Sequence, residues 1–275
     1  MLAHLDQIRD QQRETWDRFS AGWKKWDARV LGWLAPFGEA MIRQATIKDG
    51  DRVLDVAAGT GEPGLTVAAS IPKGRVTVTD LSERMLQVAT ENARHRGLTN
   101  FETRACDVGA LPFPDATFDA VLCRFGFMFF PDVAAAAQQL KRVAKPQSRV
   151  CAAVWGAPEK NNWATTIMAT IARHVDMPKP PSGAPAGLMK AVFEDAGLRD
   201  IHEEEVTTTM VQETPEDYWA FMTGIAAPVV AGLAQADDQT RSRIRSEVLD
   251  LAGQAIRAGK VELRSTATII AGTRP

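Results

Sequence analysis

The chain has 275 residues, 45% of them hydrophobic and 24% charged, with 32 basic residues against 34 acidic ones and a formal net charge of −2. Such balanced charge argues against a nucleic-acid partner, which needs a basic face. The polar start "MLAHLDQIRDQQRE" is no signal peptide, "IAAPVVAGLA" falls short of the ~20 residues that cross a bilayer, and three unpaired cysteines suit a reducing compartment, so a soluble cytoplasmic protein without membrane insertion is expected.

Residues 1–45 read as a helical segment preceding the domain proper at 46–275. At ~100° per residue, Trp16, Phe19, Trp23, Trp26, Val30 and Trp33 share one face. Gly22 and Gly32 weaken a continuous helix and allow two short ones. The stripe either docks the segment on the domain or forms a lid whose inner face, at Trp23 or Trp26, closes over ligands.

From there strand and helix alternate, which points to a parallel sheet with helices on its faces. "RVLDVA" (52–57) is the first strand, and a helix follows from about Gly61 with Pro63 in its first turn. "RVTVT" (75–79) is the second strand, and Ser82 caps the helix after it, which stops at Gly97. "FETRA" (101–105) and "FDAVLC" (118–123) are the third and fourth strands. Asp132 caps the helix that ends at Lys145-Pro146, and "SRVCAAVW" (148–155) is the fifth strand. A helix at 162–175, a Pro/Gly-rich connection at 176–187, a short helix and a strand at 200–210 follow. Residues 214–259 are a helical insertion before the last strand, 261–273.

The loop after the first strand carries Gly59-Thr60-Gly61-x-x-Gly64, a glycine pattern that fits an anion at a helix N-terminus. Alone it is a weak signal, shared by pyrophosphate and carboxylate ligands. Asp80, 21 residues after Gly59, is placed to accept both hydroxyls of a ribose. Asp55, four residues before Gly59, repels a pyrophosphate and welcomes an ammonium or sulfonium. A ligand with adenosine, a carboxylate, an ammonium and a cationic sulfur meets all these demands, and S-adenosylmethionine is that ligand. A nicotinamide-dependent oxidoreductase and a non-catalytic binding module are the alternatives.

The run "CDVGALPFPDATFDAVLCRFGFMFFPD" (106–132) resembles the corresponding segment of class I S-adenosylmethionine-dependent methyltransferases, in their ubiquinone/menaquinone-biosynthesis-like small-molecule branch. The resemblance spans roughly residues 50–156. It implies a Rossmann-like α/β fold, a seven-stranded, mostly parallel sheet whose last strand is antiparallel. It also implies that Asp107 meets the adenine amino group, that Val108 gives its N–H to the ring, that Leu81 and Met85 pack on the adenine, and that the Cys123–Arg124 backbone meets the methionine end. The family often has glycine where this chain has Ala57, a residue expected to avoid positive φ; it also often has Gly-Gly where this chain has Gln147-Ser148.

Methyl transfer requires alignment more than acid–base help, so a catalytic base is optional. Among the histidines His174 is the sole candidate for one, and His95 at a helix end has no catalytic role. Cys106, Cys123 and Cys151 read as small core residues rather than a thiol cluster, and no metal is expected. "RFGFMFF" puts Phe125, Phe127 and Phe129 at the ligand-binding end of the sheet as acceptor-pocket candidates. The expected function is therefore methylation, at oxygen or carbon, of a small, largely apolar molecule.

Overall fold

The computed structural model describes residues 2–177 and 188–275, with side chains from Gln7 onward, so most of the Pro/Gly-rich connection lies outside the described residues. Helix α1 (Leu2–Ala45) runs unbroken through both Gly22 and Gly32. The two-helix alternative is thus not what forms. Gly22 has a packing reason: a side chain there would run into the Gly224 carbonyl of a crossing helix.

The strands β1 (Arg52–Val56), β2 (Arg75–Asp80), β3 (Phe101–Ala105), β4 (Phe118–Arg124), β5 (Ala144–Trp155), β6 (Arg199–Gln212) and β8 (Lys260–Thr273) stand in the order β3-β2-β1-β4-β5-β8-β6. β1 to β5 pair in parallel, and β8 runs antiparallel to both β5 and β6. The seven expected strands are all present. An eighth, β7 (Ile256–Arg257), is a two-residue hairpin arm against the start of β8, too short to leave a sequence signal.

Side chains alternate across this sheet, and each face buries its own core. Val53, Ala120 and Leu122 pack with α1, with α2 (Gly64–Ser70) and with the helices α5 (Asn162–His174), α7 (Pro215–Ile225), α8 (Ala227–Leu233) and α9 (Asp238–Gln254). Leu54, Val56, Val121 and Cys123 pack with α4 (Val133–Val143) and α6 (Met189–Asp195) on the other face. α3 (Glu83–His95) and α4 start where expected, because the side chains of Ser82 and Asp132 accept the backbone amides of Met85 and Ala135. α2 starts three residues later than expected, with Pro63 as its N-cap.

Strand order reverses at β1, which has β2 on one side and β4 on the other. Beyond the carboxyl ends of such a pair the flanking loops diverge and leave a crevice. The second half of α1 is built into the core beneath it: Trp33, Leu34, Phe37 and Met41 are all buried.

Candidate functional site

The crevice holds a cavity of about 540 Å³. Its floor is the loop between β1 and α2. Ala57 there has φ +55°, against the expectation for a non-glycine residue. A single left-handed residue costs roughly 1–2 kcal/mol, and two contacts hold this one. The Ala58 N–H donates to the Thr79 carbonyl at 3.0 Å, and the Ala57 methyl lies where a side chain at Gly126 would otherwise sit. Gly59 has φ +56° with open space around its missing Cβ, and both Ala57 and Gly59 line the cavity.

Asp80 ends β2 in the cavity wall. Its Oδ2 accepts the Gly59 N–H and its Oδ1 the Ser82 N–H, each at 2.9 Å. Burial raises its pKa, opposed by these amide bonds. Each oxygen keeps a lone pair for a further donor, as two ribose hydroxyls require. Leu81, Met85 and Val108 line the same end, as does Asp107. Asp107 Oδ1 accepts the Gly109 N–H at 2.9 Å, and Oδ2 pairs with Arg9 of α1 at 3.2 Å. Cys106 also stands in this wall, half-buried against the core rather than within it as expected, and burial pushes its thiol up to about 11. Cys123 and Cys151 are buried.

Asp55 differs from its expected place. It is fully buried beneath the loop and not on the cavity wall, because its Oδ2 accepts the first amide of α2, that of Gly64, at 2.8 Å. The helix end expected to receive a ligand anion is therefore already engaged. Its Oδ1 has no partner among the described residues. Burial pushes the Asp55 pKa up to about 7, opposed by the Gly64 amide and by Arg124. The carboxylate of this loop that does reach the cavity is Glu62, which the sequence reading missed. Arg96 holds its Oε1 at 2.6 Å, and the backbone and hydroxyl of Thr66 hold its Oε2. Arg124, at the tip of β4, lines the cavity nearby.

The opposite half is apolar. Phe125 and Trp155 stack at 4.1 Å, Trp155 stacks on Trp33 at 5.6 Å, and Trp163 lies 4.7 Å from Trp33 and 4.6 Å from Trp155. Trp16, Trp23, Phe129, Met168, Met222 and Ile225 extend this wall. Three of the five indole N–H groups of this wall are turned into the protein. Trp33 Nε1 donates to Ser265, Trp23 Nε1 to the Ile225 carbonyl and Trp163 Nε1 to Asn161. Asn161 is itself saturated, since its amide also donates to the Gly156, Ala157 and Thr266 carbonyls and accepts the Thr266 N–H.

Five other sequence candidates fall outside the cavity wall. Thr60 and Gly61 lie behind the loop, where the Thr60 carbonyl accepts from Asn92. Trp26 packs edge-on against Phe221 at 5.6 Å, and Phe127 is buried against Phe130 and Phe193. His174 binds Glu247 at 2.8 Å on the outer side of α5, so the residue offered as a base faces a surface ion pair. Trp155, Trp163 and Met168 were not singled out. The ends of a fifth strand and its following helix could have been searched for them, since strand ends line such crevices.

Residues 53–147 match the family model of a methyltransferase domain. An uncharacterised protein of Mycobacterium tuberculosis is 36% identical over 152 residues, 55% of this chain and 53% of that protein. Ubiquinone/menaquinone biosynthesis C-methyltransferase UbiE of Burkholderia mallei is 40% identical over 110 residues, 40% of this chain and 45% of that enzyme. The chain thus spans about half the length of the curated relatives it matches. The crystal structure of the YcgJ protein of Bacillus subtilis superposes with a TM-score of 0.57 at 21% identity, covering 86% of this chain and 97% of that one. The residues present fit S-adenosylmethionine: an open glycine at the loop tip, a carboxylate with lone pairs to spare at the end of β2, and a cation and a carboxylate together at the tips of β1 and β4. The chain is thus similar to methyltransferases through a methyltransferase domain at residues 53–147.

Proposed function

We propose that the protein methylates a small, largely apolar acceptor at oxygen or carbon. One observation carries the reading: the wall facing away from the carboxylates is built of aromatic rings and methionines, with the indole N–H groups of Trp23, Trp33 and Trp163 already bonded within the protein. Among the described residues lining that half, no Asp, Glu, His, Lys, Tyr or Cys is present. A charged or extensively hydrogen-bonding acceptor would be stripped of water there without replacement bonds, which is costly.

When bound, the cofactor supplies a methyl group on a cationic sulfur that leaves as a neutral thioether. The chain's own part is to hold the adenosine through Asp80 and Asp107, to place the acceptor between Phe125 and Trp163, and to exclude water with α1. The acceptor would supply the electron pair of the new bond, the carbon–sulfur pair would remain on sulfur, and the acceptor's proton would pass to solvent. With no base in the apolar wall, the acceptor itself must be nucleophilic, as an acidic hydroxyl or an electron-rich carbon is. We read α1 up to about Trp26 as the cover of this site.

Methyl-labelled S-adenosylmethionine, offered separately with hydroxylated polycyclic aromatics, with aliphatic amines, with total RNA and with protein extract, tests the proposal. Label carried into organic solvent from the aromatics is the expected result. Transfer to amines, RNA or protein alone would overturn it.

A further inference from the structure

Trp155 differs from the three tryptophans whose indole N–H groups are bonded within the protein. It closes β5, which pairs with β4 on one side and β8 on the other. Phe125 and Trp33 stack on its ring at 4.1 Å and 5.6 Å, while Phe37 and Trp163 cross it at 5.6 Å and 4.6 Å. Stacking occupies ring faces, so a ring packed in this way meets a cavity by its edge. The Trp155 Nε1 has no hydrogen-bond partner among the described residues, yet it is not one of the sealed polar atoms left unpaired there. It therefore stays accessible in a ring that lines the cavity. Trp16 also keeps a free indole N–H, but on the stretch of α1 that serves as cover. Trp155 offers its donor from a fixed strand.

An indole N–H donates and cannot accept, so its ligand partner is an atom with a free lone pair. The protein oxygens of this half are largely engaged. The Gly156 and Ala157 carbonyls accept the Asn161 amide, the Pro158 carbonyl accepts the Asn161 N–H, and the Ile225 carbonyl accepts Trp23. The Thr165 hydroxyl is turned back onto the Asn161 carbonyl at 3.3 Å. A neutral hydroxyl brought here meets a donor readily and an acceptor poorly. Its conjugate base needs donors only, and among the described residues this half holds no carboxylate to repel it.

Building on the reading of an apolar acceptor, we propose that the Trp155 indole N–H holds an oxygen of the acceptor molecule, and that the acceptor carries an acidic hydroxyl, as a phenol or an enol does, and is bound as its anion. The hydroxyl proton goes to water on ionisation, before transfer. Anion and sulfonium then become two neutral products, whether the methyl lands on the oxygen or on the carbon conjugated with it. A fixed donor at that oxygen stabilises its charge with little reorganisation. Trp155 thereby selects apolar molecules that bear an ionised oxygen over equally apolar ones without it.

Two probes read this in protein saturated with S-adenosylhomocysteine: pentafluorophenol, which is ionised at neutral pH, and pentafluorobenzene, the same ring without the oxygen. Fluorine NMR titration should show the unaltered protein binding the phenol about tenfold or more tightly than the benzene. Acidification below the phenol's own ionisation should erase that preference. Trp155→Phe keeps a ring and removes the N–H. It should weaken pentafluorophenol about 10- to 100-fold and leave pentafluorobenzene within about threefold. Unchanged S-adenosylhomocysteine affinity shows that the variant is folded, and if it is not, the acidification of the unaltered protein decides. Equal affinity for the two probes, a preference that survives acidification, or one that survives in Trp155→Phe overturns the proposal. Binding of neither probe overturns the apolar-acceptor reading along with it, a result distinct from loss of the preference alone.

Discussion

The two halves of the cavity are built by different means. The polar half is made largely of backbone amides and carboxylates on neighbouring strand tips between Val56 and Val108, with Arg124 of β4 beside them. The apolar half is assembled from α1, β5, α5, α7 and α8, segments up to about 200 residues apart in sequence. The first half should therefore respond to charge and hydrogen-bond changes while its core tolerates them. The second should respond through packing, because its rings are at once wall and core.

The largest expected effect tests the second statement. Trp33 is buried, contacts Trp155, Trp163 and Phe221, and donates to Ser265. Trp33→Ala should cost about 3–5 kcal/mol of unfolding free energy by denaturant titration, with S-adenosylhomocysteine affinity nearly unchanged. A drop in cofactor affinity with little loss of stability would erase the distinction between the halves.

Asp80 supplies the converse. Asp80→Ala removes the acceptor for the Gly59 and Ser82 amides and for the ligand hydroxyls. Charge-assisted bonds are worth about 1.5–3 kcal/mol each, so affinity for S-adenosylhomocysteine should fall at least tenfold by calorimetry. Unchanged affinity would remove Asp80 from the site.

These differences also explain what the sequence could disclose. Asp80 and Ser82 are readable because a strand end, a cap and a ribose acid follow fixed spacing. Asp55 was found but misplaced. Nothing in its position says that the amide it accepts belongs to Gly64 of its own loop rather than to a ligand. Ala57 adopts its positive φ because the Ala58–Thr79 bond, a contact between strands, fixes the turn against local preference. Trp26 and Trp23 lie on one helical stripe, yet one packs on Phe221 and the other reaches the cavity, and only the crossing of α7 decides which. Trp155 and Trp163 converge with Trp33 through the sheet, so no local pattern announces them.

Asp55 offers a smaller effect that sharpens the contrast. Its pKa in the folded state, about 7, lies above the ordinary aspartate value of 3.8, so the folded protein binds more protons than the unfolded chain between those values. The associated stability is fully present below the lower value and is lost as pH rises through the upper one. Between pH 5 and pH 7 the apo protein should lose about 2 kcal/mol from this group. Asp55→Asn, which keeps an oxygen for the Gly64 amide but cannot ionise, should remove that slope. A variant as steeply pH-dependent as the parent would refute the raised pKa.

The smallest effect concerns where the two halves meet, under the first turns of α1. Arg9 pairs with Asp107, the Asp17 carboxylate accepts the Ser82 hydroxyl at 2.6 Å, and Trp16 meets Phe129 edge-on at 5.0 Å. These contacts tie the helix to the adenine end through polar groups that are half-exposed. The buried part of α1, by contrast, lies mostly from Val30 onward, with Phe19 and Ser20 the buried positions before it among the described residues. A partly exposed pair such as Arg9–Asp107 is worth about 0–1 kcal/mol, so Arg9→Ala should leave the melting temperature almost unmoved. If the segment before Trp26 is a cover, the variant should nevertheless open more often, and trypsin should cut at Arg13 or Arg18 faster than in the parent. Saturating S-adenosylhomocysteine should slow that cutting, because the adenine end then fills the space under Arg9 and Trp16. If α1 is instead fixed throughout by packing, cutting at Arg13 and Arg18 will be equally slow in parent and variant, with and without ligand. In that case the two halves form one rigid wall, and acceptor entry must lie between α5 and α8, where Ala164, Met168, Ala227 and Pro228 border the cavity.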